Sequence, residues 1–251
     1  MSGCRDIWMG FWRLGIVLSL FLTGCTASLV QSAKSGDAKA VQTLLDKGVN
    51  PNTMDEHGDT PLLESVSSSQ ADVVNLLLSH GADPNLAENR KRGLDLFGLP
   101  RRINEVVTPL GIAVRKGDMD MVKILLIHGA DVNQRCNSLG QTPLLIAIDD
   151  GDLNIVKLLL SKGGNPNLGN YNGITPLEVA VQSRKAELLV KVLLAHGANV
   201  NQADKYGRLP IDLAAKRGNP IIIGLLLDSS FARKAKQEEK QVYIKKRLPT
   251  I

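Results

Sequence analysis

The sequence has few aromatic residues and little cysteine. Its 251 residues include two Trp, three Tyr, four Phe and three Cys. Both Trp residues and two of the four Phe fall within the first 24 residues, so the rest of the chain predicts an aliphatic core. The few remaining aromatics are scattered and the net charge is only +5, which argues against nucleic acid as a partner.

Catalytic and metal-binding patterns are also missing. Cys136 lies in the polar segment NQRCNSLG, where no histidine is near enough in sequence to act as its base. The hypothesis of an exposed, reactive thiol at this position stays open. No two Cys or His residues have metal-ligand spacing, and no glycine-rich stretch precedes a basic residue as in a phosphate loop. We therefore expect no enzymatic activity, no metal and no cofactor.

The one long apolar run lies near the N-terminus. Residues 14–23 are about half the length of a membrane-spanning helix and follow Arg5 and Arg13, as in a signal peptide. The run ends in Leu22-Thr23-Gly24-Cys25, which resembles the lipobox of bacterial lipoproteins. The alternative is an ordinary signal peptide with a chance cysteine, and translation from Met9 would give a more compact signal.

The lipoprotein resemblance implies that residues 1–24 are removed and that Cys25 becomes a lipidated N-terminus, with 25–27 as a linker. Thr26, rather than Asp, follows the cysteine, which implies the periplasmic face of the outer membrane. Because Cys25 would then carry lipid, Cys136 would be the only free thiol and no intramolecular disulfide could form.

A repeat of 33 or 34 residues fills the remainder. The segments DKGVNPN, SHGADPN, IHGADVN, SKGGNPN and AHGANVN place glycines at intervals of 33, 48, 34 and 34, at Gly48, Gly81, Gly129, Gly163 and Gly197. Between them lie DTPLLESV, VTPLGIAV, QTPLLIAI, ITPLEVAV and RLPIDLAA. This pattern resembles the ankyrin repeat, which implies an all-α repeat solenoid of helix-turn-helix units with β-hairpin fingers.

The repeats divide the chain into about six units. They are a first cap at 28–52, repeats at 53–85, 86–133, 134–167 and 168–201, a last cap at 202–227, and a basic tail at 228–251. In the third unit Thr108 is placed to cap a helix that starts at Pro109, Gly117 turns the chain, and Gly129 ends the second helix. The histidine that usually follows Pro-Leu in the family is absent from every unit, so we expect its hydrogen-bond link to be missing. His80, His128 and His196 share one position before Gly-Ala, where the resemblance implies a structural role.

Two segments depart from the repeat. The 48-residue interval leaves an insertion at 86–106, in which basic residues flank the apolar stretch LDLFGL. We interpret it either as a binding loop, with Phe97 and Arg101 at its centre, or as a solvated elongated hairpin. Residues 231–251 of the tail hold seven basic and two acidic residues. We expect the tail to cover the last repeat as a frayed helix; adhesion to a membrane surface is the alternative.

The resemblance places a partner on the finger tips and on the first helices of the repeats. We predict a site centred on Tyr171, Tyr206, Arg135 and Arg208, because exposed tyrosine often anchors an interface. Ordinary packing of the fingers is the alternative. The predicted site also includes Asn172, Lys205, Arg115, Lys116, Phe97 and Arg101.

These patterns together indicate a monomeric, non-enzymatic protein-binding module. The lipobox places it in the bacterial envelope, with the membrane reached through the lipid on Cys25. Within that class we favour an immunity protein that inhibits a secreted effector. The alternatives are an envelope scaffold, an accessory factor for a periplasmic enzyme and, against the evidence of the lipobox, a host-directed effector.

Overall fold

The computed structural model describes residues 29–55, 58–90 and 105–228. The chain forms two compact units, one ending at Pro109 and one starting at Leu110. Helical residues 29–35 form α1, and the other described helices are α2 Ala38–Asp46, α3 Pro61–Ser67, α4 Ala71–Ser79, α5 Pro109–Arg115, α6 Met119–Ile127, α7 Pro143–Asp149, α8 Leu153–Ser161, α9 Pro176–Gln182, α10 Ala186–Ala195, α11 Pro210–Lys216 and α12 Pro220–Leu227. None of the described helices is long and apolar enough to cross a bilayer.

The first helix of most repeats begins at a threonine followed by proline. The Thr60, Thr142 and Thr175 hydroxyls accept hydrogen bonds from the backbone N–H three residues ahead, and proline fills the first helical position. In the last unit Leu209 replaces the threonine, but the Asp212 carboxylate accepts its backbone N–H at 3.0 Å. Local sequence therefore fixes where these helices start.

The second helix of a repeat follows a glycine turn. Gly117 and Gly151 have φ of 67° and 71°, and the aspartates that follow them accept hydrogen bonds from the first backbone N–H groups of α6 and α8. Gly129, after α6, has φ of 87°, as a left-handed helix end requires. The turns predicted at Gly117 and Gly129 are confirmed.

The core is built from equivalent aliphatic positions. In the compact part of the chain that starts at Leu110, one alanine on each first helix and one leucine on each of three second helices are fully buried. They are Ala113, Ala147, Ala180 and Ala214, and Leu125, Leu159 and Leu193. Helix α7 packs on α8 and α9, while α9 packs on α10 and α11. The small alanine lets adjacent first helices approach, so each repeat buries its apolar face against its neighbour.

Three of the repeated asparagines bond to the following repeat. The Asn133 amide donates to Gly163 O at 3.1 Å, and its oxygen accepts the Asn165 backbone N–H at 2.7 Å. Asn167 makes the equivalent bonds to Gly197 and Asn199. In the first unit Asn52 bonds in the same way to Gly81 and Asp83. We call these bonds the asparagine ladder; they explain why asparagine recurs with the glycine.

The fingers differ from one another. In the repeat 86–133, β1, Glu88–Arg90, pairs antiparallel with β2, Glu105–Val107, so the two described ends of the insertion lie side by side. In the other described fingers no strand is formed. A tight turn is closed by two backbone hydrogen bonds, for example Asn170 N–H to Ile174 O at 3.0 Å and Gly173 N–H to Asn170 O at 2.9 Å. Phe97 and Arg101, predicted as site residues of the insertion, lie outside the described residues, as does the tail beyond Asp228.

Two units carry a carboxylate in place of the family's histidine at the position after Pro-Leu. In 168–201 the Glu178 carboxylate accepts the Thr175 backbone N–H at 3.3 Å, and Asp212 does the same for Leu209. Glu178 completes a capping box with Thr175, whereas Leu209 has no side-chain acceptor, so Asp212 makes only the bond back to the cap backbone. The acidic replacements therefore rigidify the start of the helix that carries them.

Candidate protein-binding surface

Three consecutive fingers, those of 134–167, 168–201 and 202–227, form the same turn, in which an Asn or Asp side chain bonds to the backbone. Asn137, Asn170 and Asp204 each lie five residues before the residue that precedes proline. In each case one side-chain oxygen accepts two backbone N–H groups, two and four residues ahead, at 2.9–3.1 Å. These bonds satisfy the tip backbone internally and hold the tip side chains outward.

The fingers are joined through their backbones. Tyr171 N–H donates to Leu139 O at 3.0 Å, and Lys205 N–H donates to Asn172 O at 3.0 Å. Successive tips are thus held in fixed register along a row. Leu139, Tyr171 and Tyr206 are 57%, 53% and 68% exposed, and we call these three residues the tip row.

An arginine from the preceding finger supports Tyr171. The Arg135 guanidinium lies 4.8 Å from the ring centroid and donates to the carbonyl oxygens of Gly140 and Gly169. The ring lies so close to Gly140 that a Cβ there would come within 2.7 Å of it. Tyr171 is therefore oriented before any partner arrives, while half of its side chain stays exposed.

Tyr206 is supported within its own finger. The Arg208 guanidinium lies 5.1 Å from the ring centroid and forms an ion pair of 2.6 Å with Asp204. Burial alone would raise the pKa of Asp204, but hydrogen bonds from the Arg208 side chain and from the Arg208 and Tyr206 backbones hold it below its usual value. Its carboxylate is therefore ionised at neutral pH and fixes both Arg208 and the turn.

A buried carboxyl group lies behind these fingers. Glu178 is completely buried; its Oε1 accepts from the Thr175 hydroxyl at 3.2 Å, and its Oε2 has no hydrogen-bond partner. Burial raises the pKa of Glu178, the Thr175 hydrogen bonds oppose that rise, and Asp204 adds to it. Leu145 occupies the equivalent position of the preceding repeat. The 168–201 repeat thus buries a carboxyl group at the position where the repeat 134–167 buries a leucine.

A groove of about 580 Å³ lies between the repeats 134–167 and 168–201, on the side formed by their first helices. Its walls are the end of α7, at Asp149, Asp150 and Gly151, and the turn after α9, at 182–185. Ile174 and Val179 lie in its lining. The α7 wall belongs to the first-helix surface on which the family resemblance places a partner, but none of the predicted site residues that the structure describes lines the groove.

The predicted site residues fall into three groups. Arg135, Tyr171, Asn172, Lys205, Tyr206 and Arg208 are brought together on the linked fingers. Arg115 and Lys116 are exposed at the end of α5, and Arg115 contributes to the electrostatic environment of Asp150. Cys25, Phe97 and Arg101 lie outside the described residues.

Sequence reasoning missed Leu139 and the shared side-chain turn. The Asn/Asp at a constant distance before each proline was a usable signal, because asparagine and aspartate favour such turns. The structural role expected for the histidines fits the contacts of two of them. His80 and His196 place Nδ1 2.8 Å from a backbone oxygen of the last helical turn.

The reactive-thiol hypothesis is wrong for Cys136. The residue is only 3% exposed, and its thiol donates to Gln134 O at 3.3 Å. Burial removes the access to solvent that a reactive thiol needs. Within the described ranges, no group of three or more His, Cys, Asp or Glu side chains could hold a metal ion.

The fold is an all-helical repeat solenoid. The model for "Ankyrin repeats (3 copies)" matches residues 15–88, 98–170 and 162–238, so the chain belongs to the ankyrin repeat family. Ankyrin repeats are protein-interaction modules, so this chain is a protein-binding module. No curated protein sequence matches it.

Solved structures show the same fold. An ankyrin repeat domain from Acinetobacter baumannii AYE is 28% identical, with a TM-score of 0.66, over 79% of this chain and 95% of that one. The human ASB11 ankyrin repeat domain is 27% identical, with a TM-score of 0.60, over 79% and 80% of the two chains. A structure of the predatory endopeptidase Bd0816 from Bdellovibrio bacteriovorus in complex with the immunity protein Bd3460 contains a similar chain, 24% identical, with a TM-score of 0.62, over 80% and 97%.

Proposed function

We propose that this chain is a protein-binding module anchored in a bacterial envelope membrane by a lipid on Cys25, and that it acts as an immunity protein against a secreted effector. The residues Leu22-Thr23-Gly24-Cys25 support the anchor, and Thr26 supports the periplasmic face of the outer membrane. A module held there meets an envelope-attacking enzyme in the compartment where that enzyme acts.

The observation that carries the binding role is the tip row. Tyr171 and Tyr206 are each more than half exposed, yet each ring lies against a guanidinium that is itself held by hydrogen bonds or an ion pair. Exposed aromatic side chains that are already ordered lose little conformational entropy when a partner covers them. Rigid tyrosines with adjacent arginines are the residue types that dominate interface energies.

The fold is compatible with an inhibitory role. The same fold occurs in the solved complex of a predatory endopeptidase with an immunity protein. That likeness concerns the fold alone, so the immunity role here depends on the tip row and on the predicted location.

One capture experiment tests location and binding together. Tagged full-length protein is expressed in the bacterium that encodes it, the cells are fractionated, and bound chains are identified by mass spectrometry. Wild type is compared with Cys25→Ser and with Tyr171→Ala plus Tyr206→Ala. Ile127→Ala plus Leu188→Ala, two exposed aliphatic positions on α6 and α10, serves as the matched control.

We expect wild type and the control in the membrane fraction with one stoichiometric partner, a toxic hydrolase. Cys25→Ser moves to the soluble fraction, and the tyrosine variant stays in the membrane without the partner. Membrane retention of Cys25→Ser contradicts the anchor, and capture by the tyrosine variant contradicts the site. A partner that is an envelope enzyme without toxicity replaces the immunity role with a scaffold or accessory role.

A further inference from the structure

The last described helix, α12, exposes apolar positions that the inner repeats bury. Leu227 is 67% exposed, whereas Leu160, at the same position of α8, is 5% exposed. Ile223 is half-buried where Val156 is fully buried. Helix α8 packs on α10 and α10 packs on α12, so each second helix of these repeats is covered by the one that follows it. Within the described residues nothing follows α12, and its apolar side chains stay open.

The first helix of the last unit adds to the same open side. Ile211 is half-buried and Ala215 is exposed on α11, whereas Leu144 and Ile148, at the same positions of α7, are buried. We call Ile211, Ala215, Ile223 and Leu227 the end face. A terminal repeat that is exposed to water normally carries a polar outer face. An end face that keeps the apolar side chains of an inner repeat therefore indicates a covering segment.

The chain that continues from α12 is too short to form another complete repeat. Residues 229–251 number 23, against a period of 33 or 34, and they contain no glycine, no asparagine and no Thr-Pro pair. They thus lack the signals that start, turn and end the other repeats. The ankyrin repeat model nevertheless matches the chain as far as residue 238, so the likeness to the family continues past α12.

The sequence of this segment predicts one helix with an apolar side. Residues 231–247 contain neither glycine nor proline and are rich in Ala, Lys, Arg, Gln and Glu, which favour helix. At 3.6 residues per turn Phe231, Ala235 and Val242 fall on one stripe, and Arg233 and Lys240 fall on the opposite side. Such a helix is about 25 Å long, and neighbouring helix axes lie about 10 Å apart, so it can cross both α11 and α12.

We propose that residues 231–247 pack on the end face through the stripe of Phe231, Ala235 and Val242, and take the place of the repeat that would come next. The contact removes apolar surface from water on both sides and leaves the basic side of the helix in solvent. It also blocks the end-to-end association of two copies that a bare apolar end would favour. The inference goes beyond the proposed function and depends on neither the membrane anchor nor the effector.

Hydrogen exchange on the full chain, purified in detergent and followed by mass spectrometry, tests the contact. We expect the amides of 235–247 to be protected in wild type and to lose that protection in Leu227→Asn. Ile127→Asn is the matched control, because Ile127 is the last residue of α6 and is 75% exposed; it should leave the segment protected. No protection in wild type, or protection that Leu227→Asn leaves unchanged, overturns the proposal.

Variants of the segment itself give the reverse comparison. Phe231→Ala plus Val242→Ala should speed exchange of 235–247 about tenfold and lower Tm by about 5 °C, because the packing is lost while alanine favours the helix. Arg233→Gln plus Lys240→Gln, on the opposite side, should change neither. Equal behaviour of the two variants overturns the proposal. A wild-type dimer in light scattering that Leu227→Asn dissociates also overturns it, since a second copy would then cover the end face.

Discussion

The neighbouring repeats 134–167 and 168–201 are built on the same helix pair and differ at only a few structural positions. Both start at a threonine cap and bury an alanine and a leucine at equivalent positions. Each also accepts a hydrogen bond from the asparagine that ends the preceding repeat. They differ after Pro-Leu, where Leu145 is replaced by Glu178, and at the inter-helix turn, where Gly151-Asp152 is replaced by Arg184-Lys185.

The comparison separates the positions that build the stack from the positions that shape its surface. The shared residues are buried or hydrogen-bonded between repeats, so they recur with the period. The residues that differ border the groove or lie behind the linked fingers. Each change is accompanied by a new contact. Glu178 Oε1 accepts from the Thr175 backbone N–H and hydroxyl, and Lys185 donates to Gly151 O.

If the asparagine ladder is a shared structural element, its loss must have the same effect in both repeats. Asn133→Ala and Asn167→Ala each remove two hydrogen bonds to the next repeat, and we expect each to lower the free energy of unfolding by about 1–2 kcal/mol. Urea unfolding measures the change, with the exposed Asn154→Ala as the control. A loss confined to one of the two repeats would show that the ladder is not equivalent along the stack.

We expect a smaller effect from Glu178, which the repeat 134–167 lacks: it should make the free energy of unfolding depend on pH. Burial raises the pKa of Glu178, so the folded protein favours the protonated carboxyl; this stabilisation is complete below the ordinary glutamate pKa of about 4.3 and is lost as pH rises through the raised value. Glu178→Gln stays neutral and should gain in stability relative to wild type between about pH 4 and pH 7.

Unfolding of wild type and Glu178→Gln at several pH values measures this gain. Glu187→Gln, an exposed carboxylate on α10 that pairs with Lys191, controls for the general loss of one negative charge. A stability difference that stays flat or shrinks with rising pH would show that Glu178 is ionised without cost in the fold.

The helix pairs could be predicted from the sequence because their signals are local. Thr-Pro starts, turn glycines such as Gly117 and buried alanines repeat with the period, and each acts within a few residues. The tyrosines and arginines of the site were predicted by aligning the finger tips. Their pairing, Arg135 with Tyr171 across fingers but Arg208 with Tyr206 within one, depends on three-dimensional contacts that the alignment does not contain.

The groove could not be predicted for the same reason. The sequence shows that Arg184 replaces a glycine, but not that Lys185 reaches Gly151 of the preceding repeat. That feature depends on a contact between repeats. The capping bonds of Glu178 are instead local, since Thr175 and Glu178 are three residues apart, and the Thr-x-x-Glu pattern was a usable signal that our sequence reasoning missed.

The most direct test of the central claim is the affinity of the captured partner for wild type, Tyr171→Ala and Tyr206→Ala, measured by calorimetry with the purified proteins. If the supported tyrosines carry the interface, each single variant should raise Kd by about tenfold or more, equivalent to about 1.4 kcal/mol, with unfolding unchanged. The matched Ile127→Ala variant should bind as wild type does. Less than a twofold change for both tyrosine variants would contradict a binding site centred on the tip row.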